Sequence, residues 1–209
     1  MNYPFDTVGL NSETIDRFND TYNVLRAKFS FQQTGHINFH LENFEIFRRY
    51  LDVNIRDSFV IKHANNDCYT LFTENHSRIM SSSKGGGIYD RYDYQTWALA
   101  YLKKDFGRVM IRRETLTDKI LELIHPIELD FEEDKAFSDT FYVLVNDRQK
   151  ATLAIDRNFR NAVMDIRENN FVIEIVNHTL IIGNSNRDPV SPEEALHLAE
   201  FVVRICSNC

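Results

Sequence analysis

The strongest constraint in this sequence is an internal echo. Residues 43–72 run Asn43-Phe44, a helix-like stretch to Ile55-Arg56, then Phe59-Val60-Ile61-Lys62 and Tyr69-Thr70-Leu71-Phe72. Residues 158–181 run Asn158-Phe159, a helix-like stretch to Ile166-Arg167, then Phe171-Val172-Ile173-Glu174 and His178-Thr179-Leu180-Ile181. Each copy reads as a helix feeding a β-hairpin, because apolar residues at helical spacing give way to short strand-forming runs split by turn residues. The helical faces match as Phe44, Phe47 and Leu51 against Phe159, Ala162 and Ile166. A chain so patterned is α+β, antiparallel sheet with packed helices. The echo is either a duplication giving two related helix-plus-hairpin halves or a chance recurrence of common strand formers. As a duplication it requires the two segments to superpose with Phe44 on Phe159.

The flanking elements follow the same rules. Ser12 caps a helix over 13–29 whose stripe is Ile15, Phe18, Tyr22, Leu25 and Phe29. His36 to Leu41 alternates polar and apolar residues, the period of a half-buried strand. Asn43 caps a second helix with Phe44, Phe47, Leu51 and Ile55 on one face, and Asn65-Asn66-Asp67 turns between strands near 59–63 and 68–73. Residues 75–94 are structurally weakest, and Ser81-Ser82-Ser83-Lys84-Gly85-Gly86-Gly87 reads as a mobile loop. Strands at 95–102 and 107–113 join around Lys103-Lys104-Asp105, and a short helix runs from Leu116 to Ile124 before Pro126. Further strands are expected at 127–131, 140–145 and 151–155. Asp156 caps a helix with Phe159, Ala162, Val163 and Ile166 inward, and a hairpin follows at 171–176 and 179–183. Ser191-Pro192-Glu193-Glu194 is a capping box with Pro at the first helical position, opening a helix to Cys206. This places an N-terminal half at 1–94 and a C-terminal half at 95–209, able to form one domain together.

Charge narrows the partners. With 24 Lys and Arg against 31 Asp and Glu, the net charge of −7 repels phosphate backbones and anionic lipid, so no nucleic acid is expected as a partner. Met1 to Leu10 has neither a basic region nor an apolar run, no apolar stretch reaches the length of a membrane span, and three cysteines make no disulfide framework. The expected location is cytoplasmic.

Candidate chemistry is sparse. In Ser83-Lys84-Gly85-Gly86-Gly87 the lysine precedes the glycines, the reverse of a phosphate loop. Cys206-Ser207-Asn208-Cys209 stands at a helix C-terminus, where the dipole opposes a thiolate; Cys206 reads as core. His36 and His40 share a strand face, and with the 81–92 loop as a lid they would line a small-molecule site between the halves, but no third metal ligand is fixed and no metal or other cofactor is expected. Glu128, Asp130, Glu132, Glu133, Asp134 and Asp139 form an acidic run, with Ile127, Leu129 and Phe131 as the dry side of the same strand. Glu132, Glu133 and Asp134 are therefore candidate contacts for a basic protein partner. Arg157 and Arg160 lie off the apolar stripe of their helix and read as solvated, and Trp97 reads as core.

From Gln95-Thr96-Trp97-Ala98-Leu99 onward the chain resembles a broad group of uncharacterised bacterial domains, many attached to membrane helices. The landmarks are that block, then Arg108-Val109-Met110-Ile111-Arg112, Ile127-Glu128-Leu129, Phe137 to Val143, Asp147 and the closing Ser191-Pro192-Glu193-Glu194 helix. The resemblance covers somewhat over half the chain, implies an α+β fold and transfers no catalytic residues. The sequence thus points to a non-enzymatic domain that binds another protein. The alternatives are an acidic inhibitor or immunity-type protein and an enzyme with a site between the halves.

Overall fold

The computed structural model describes residues 3–35, 37–63, 66–80, 87–113, 127–168, 170–184, 186 and 188–208. Helix α1 (Ser12–Lys28) begins one residue earlier than expected, because Asn11 is the cap: its side-chain oxygen accepts the Thr14 N–H at 2.8 Å. Phe18 and Leu25 of its stripe are fully buried. The expected strand at 36–41 is absent from residues 37–41, which are irregular and lead into a 3-10 turn at Leu41–Asn43. The long helix expected after Asn43 shrinks to α2 (Glu45–Arg48), and a strand starts four residues later. That strand contains Val53 and Ile55, alternating with Asn54 and Arg56, so long antiparallel pairing wins over the helical spacing that included Ile55. Leu51, expected on the helix's apolar face, is exposed.

Among the described residues nine strands form one antiparallel sheet: β1 (Phe31–Gln33), β2 (Asp52–His63), β3 (Asn66–Met80), β4 (Ile88–Tyr101), β5 (Arg108–Arg113), β6 (Ile127–Glu128), β7 (Phe141–Val145), β8 (Phe171–Val176) and β9 (Thr179–Asn184). Their order is β1-β2-β3-β4-β9-β8-β5-β7-β6. β4 and β5, read as directly joined, are not neighbours, because the β8–β9 hairpin lies between them. Residues 75–80 and 88–94, read as weak, are strand. The Ser/Gly run at 81–86, the helix expected at 116–124 and Asn65 of the expected turn lie outside the described residues, while Asn66 and Asp67 of that turn already belong to β3.

Among the described residues the remaining helices are α3 (Lys135–Ser138), α4 (Arg148–Ala154), α5 (Arg157–Asp165) and α6 (Pro192–Asn208). α4 replaces the strand expected at 151–155. Asp147 accepts the N–H groups of Gln149 and Lys150, which starts a helix, and Ala151 and Ala154 then pack inward. The capping box of α6 forms as expected: Ser191 Oγ accepts the Glu194 N–H at 3.2 Å, and Glu194 Oε2 accepts the Ser191 N–H at 2.8 Å.

Strand alternation divides the core. Ala98 and Ala100 of β4 face a large cluster covered by α1, α5 and α6, with α6 lying across β2, β3 and β4. Trp97 and Leu99 face a smaller cluster on the opposite side, covered by residues 39–50 through Phe39, Phe44, Ile46, Phe47 and Tyr50. The Trp97 ring lies over Gly183 of β9, where an added Cβ would meet Cε3 at 2.2 Å. This division decides the echo. Phe44 belongs to the Trp97 cluster and Phe159 to the opposite one, so the two helices sit on different faces of one sheet. The hairpin registers also differ: Phe59 pairs with Thr70, whereas Phe171 pairs with Asn184, five places beyond the matching Thr179. Phe44 does not superpose on Phe159; common strand formers explain the likeness.

Candidate binding surface

The outer ends of β3 and β4 form a two-stranded ribbon that leaves the sheet. β2 stops pairing with β3 at Asp52↔His76, yet β3 and β4 stay paired to Met80↔Ile88. The four residues Ser77–Met80 therefore carry the ribbon about 13 Å past the end of β2, at roughly 3.3 Å per residue. On the far side, β9 pairs with β4 only from Ala98 to Tyr101, so among the described residues Ile88–Trp97 has no partner strand along its outer edge. The ribbon carries Met80 (77% exposed), Ile88 (63%), Tyr89 (52%) and Tyr92 (50%). Grouped at the end of a projecting hairpin, these large side chains leave half or more of their surface in water.

The ribbon's root is built to be stiff. On the helix-covered face Arg56 is held by Asp6 at 3.0 Å, by Glu74 and by the Val8 carbonyl at 3.0 Å. Farther out, His76 stacks on Tyr92 with centroids 4.7 Å apart and reaches Asp90 at 2.9 Å. Hydrogen bonds from His76 and then Arg78 hold the exposed Asp90 carboxyl below its ordinary pKa. On the opposite face Thr73, Asn75, Ser77, Asp93 and Gln95 are buried. Asn75 Nδ2 donates to Gln95 Oε1 at 2.7 Å, Gln95 Nε2 donates to the Asn186 carbonyl at 3.0 Å, and Arg91 donates to Asp93 at 2.7 Å.

The candidate residues from the sequence are distributed elsewhere. Glu132 and Glu133 are exposed, but Glu133 lies 3.3 Å from Arg160. Asp134 caps α3 by accepting the Phe137 N–H and pairs with Arg160 Nε at 2.8 Å. Arg160, expected to be solvated, is only 6% exposed; it lies 4.5 Å over the Phe131 ring and donates to the Ile155 carbonyl. Part of the acidic run therefore serves the fold. His36 lies outside the described residues. His40 has a left-handed backbone, pairs with Glu42 at 3.1 Å, and lines a cavity of about 230 Å³ with Tyr101 and His178. That cavity is at the end of β4 opposite Ile88, and its Tyr101 lies nine residues, about 30 Å, along the strand from Tyr92, the nearest residue of the 81–92 segment read as its lid. Among the described residues no three His, Cys, Asp or Glu side chains group to hold a metal ion, and no helix is long and apolar enough to cross a membrane.

Two features escaped the sequence reading. The ribbon was signalled by Ile88-Tyr89-Asp90-Arg91-Tyr92-Asp93-Tyr94, rich in aromatic strand formers, but the adjacent Ser/Gly run masked it. The other is Glu174, a lone acid in the apolar strand Phe171–Val176. It is fully buried, accepts the N–H groups of Glu45 at 2.9 Å and Ile46 at 3.0 Å, and pairs with Arg108 at 2.9 Å. Arg108 also donates to the Asn43 carbonyl at 2.9 Å. Glu174 and Arg108 thus clamp residues 43–46 onto β8 and β5. Burial raises the Glu174 pKa, and the two amides and Arg108 pull it back in part.

No protein-family model matches the chain, and no curated protein matches it. Among solved structures it is similar to the mycobacterial trehalose monomycolate transport factor A, TtfA, with a TM-score of 0.59 over 94% of each chain and 8% sequence identity. At that identity the likeness is one of fold.

Proposed function

We propose that this chain is a non-enzymatic, bacterial-type protein-binding domain that engages its partner through the β3–β4 ribbon. The observation that carries the reading is the exposure of Met80, Ile88, Tyr89 and Tyr92 on two strands that outrun their neighbours. Open strand edges supply backbone donors and acceptors for a partner, and flanking apolar side chains supply the burial that makes such an addition stable. Asp90, Arg91 and Arg78 beside them keep the edge from pairing with copies of itself.

Affinity purification from the native host tests this reading. A partner retained by the wild-type chain and by Leu153→Lys, a control at another exposed apolar residue, is expected to be lost with the double variant Ile88→Lys/Tyr89→Lys. Because the contact is largely apolar, capture should survive a rise in salt. An acidic interface at Glu132–Asp134 predicts the reverse on both counts, with salt-sensitive capture that ignores the ribbon.

A further inference from the structure

We propose that Cys68 and Cys206 are a redox pair that closes to a disulfide, tying β3 to the last turns of α6. The two sulfur atoms lie 2.7 Å apart although 138 positions separate the residues in the chain. Both side chains are buried, Cys68 at 0% and Cys206 at 1% exposure, in the cluster beneath α6. Two unbonded sulfurs do not ordinarily pack this closely, and a disulfide needs them at about 2.05 Å, so a small adjustment of either side chain makes the bond. The Cys68 thiol also reaches the Val202 carbonyl at 3.5 Å, one helical turn before Cys206. The pair therefore sits where an interior strand of the sheet meets the helix that crosses it.

The chemistry balances with a low-molecular-weight disulfide such as oxidised glutathione as oxidant. Cys206 is the attacking sulfur, since it lies in the last turns of α6, the end that opens to the oxidant, whereas Cys68 is held inside the sheet. Its thiolate attacks the oxidant, forming a mixed disulfide and releasing one glutathione thiolate, which takes up the proton that Cys206 lost. Cys68 then gives up its proton and displaces the second glutathione, which leaves as the thiol. Two protein thiols become one disulfide and one oxidised glutathione becomes two thiols. Access requires the end of α6 to open, and a helix terminus opens more readily than the sheet beneath it. A covalent link across so long a loop restricts the unfolded chain and stabilises the folded one.

The test uses the full chain carrying Cys209→Ser, which removes the third thiol as a competitor. The protein is held in oxidised glutathione or in a phosphine reductant, then denatured, alkylated and weighed. The expected result is two alkylatable thiols in the reductant and none in the oxidant, with a mass lower by two hydrogens and no glutathione attached. The melting temperature should rise by several degrees on oxidation, and Cys206→Ala should abolish that rise. Two alkylatable thiols after unfolding and refolding in the oxidant, or glutathione adducts in place of the internal bond, would overturn the proposal.

Discussion

Replacing Glu174 tests whether a buried charge organises the second face of the sheet. Its two oxygens accept two backbone amides and Arg108, whose side chain is itself only 22% exposed. Glu174→Ala leaves those amides without an acceptor and a poorly solvated guanidinium without its counter-charge. Removing one member of a buried pair costs about 3–5 kcal/mol, and the lower end applies because Arg108 keeps the Asn43 carbonyl. In a chain of this size that is a drop of about 6–12 °C in melting temperature. Glu174→Gln keeps the shape and one acceptor oxygen but sets an amide N–H in place of the other, and should cost about 1–2 kcal/mol for the backbone amide left without its acceptor. Urea unfolding followed by circular dichroism measures both. Proton linkage adds a sign. Because burial raises the folded-state pKa of Glu174 above the ordinary 4.5, the folded chain holds this proton more tightly than the unfolded one. The stability it contributes is fully present below pH 4.5 and declines as pH rises through the raised value. The margin of wild type over Glu174→Gln should therefore be widest at the acid end and narrow above it. A Glu174→Ala variant within about 0.5 kcal/mol of wild type refutes the clamp. A margin that widens with pH refutes the dominance of burial.

Two substitutions probe the packing of the sheet. Gly183→Ala puts a Cβ 2.2 Å from the fully buried Trp97 ring, so the indole must move; the expected cost is about 1–3 kcal/mol with a shift in tryptophan fluorescence, and an unchanged spectrum and stability would show the ring is not held there. Thr70→Val removes a buried hydroxyl that has no hydrogen-bond partner among the described residues while keeping the side-chain shape, and it should be neutral or stabilising by about 1 kcal/mol in the same urea assay; clear destabilisation would show that the hydroxyl is satisfied.

Elements whose signals are local were readable from the sequence. The Ser191 capping box, the Asp156 cap with its Phe159–Val163 face, and the hairpin across Asn177-His178 all form where their residues place them, since each needs only neighbours a few positions away. Long-range pairing decided the rest. Residues 52–56 satisfy helical and strand periods at once, and pairing with residues 73–76 of β3 settles them as strand. Residues 151–155 are apolar enough for either state, and the Asp147 cap settles 151–154 as helix, with Ile155 as its C-cap. The placement of β8–β9 between β4 and β5 is a fact of topology that no local spacing encodes. For the candidate surface the difficulty was similar: the aromatic alternation at 88–94 was present, but that the ribbon outruns β2 and β9 emerges only from register.

Site-specific photo-cross-linking in the native host tests the binding surface most directly. A photoreactive amino acid is placed at Tyr89 or Tyr92 on the ribbon, and for comparison at Glu132 in the acidic stretch and at Leu153 on α4, all four exposed. The ribbon account predicts one discrete adduct of the same mass from positions 89 and 92 and none of that mass from 132 or 153. An adduct that forms from position 132 while 89 and 92 stay silent would contradict it and move the interface to the acidic face.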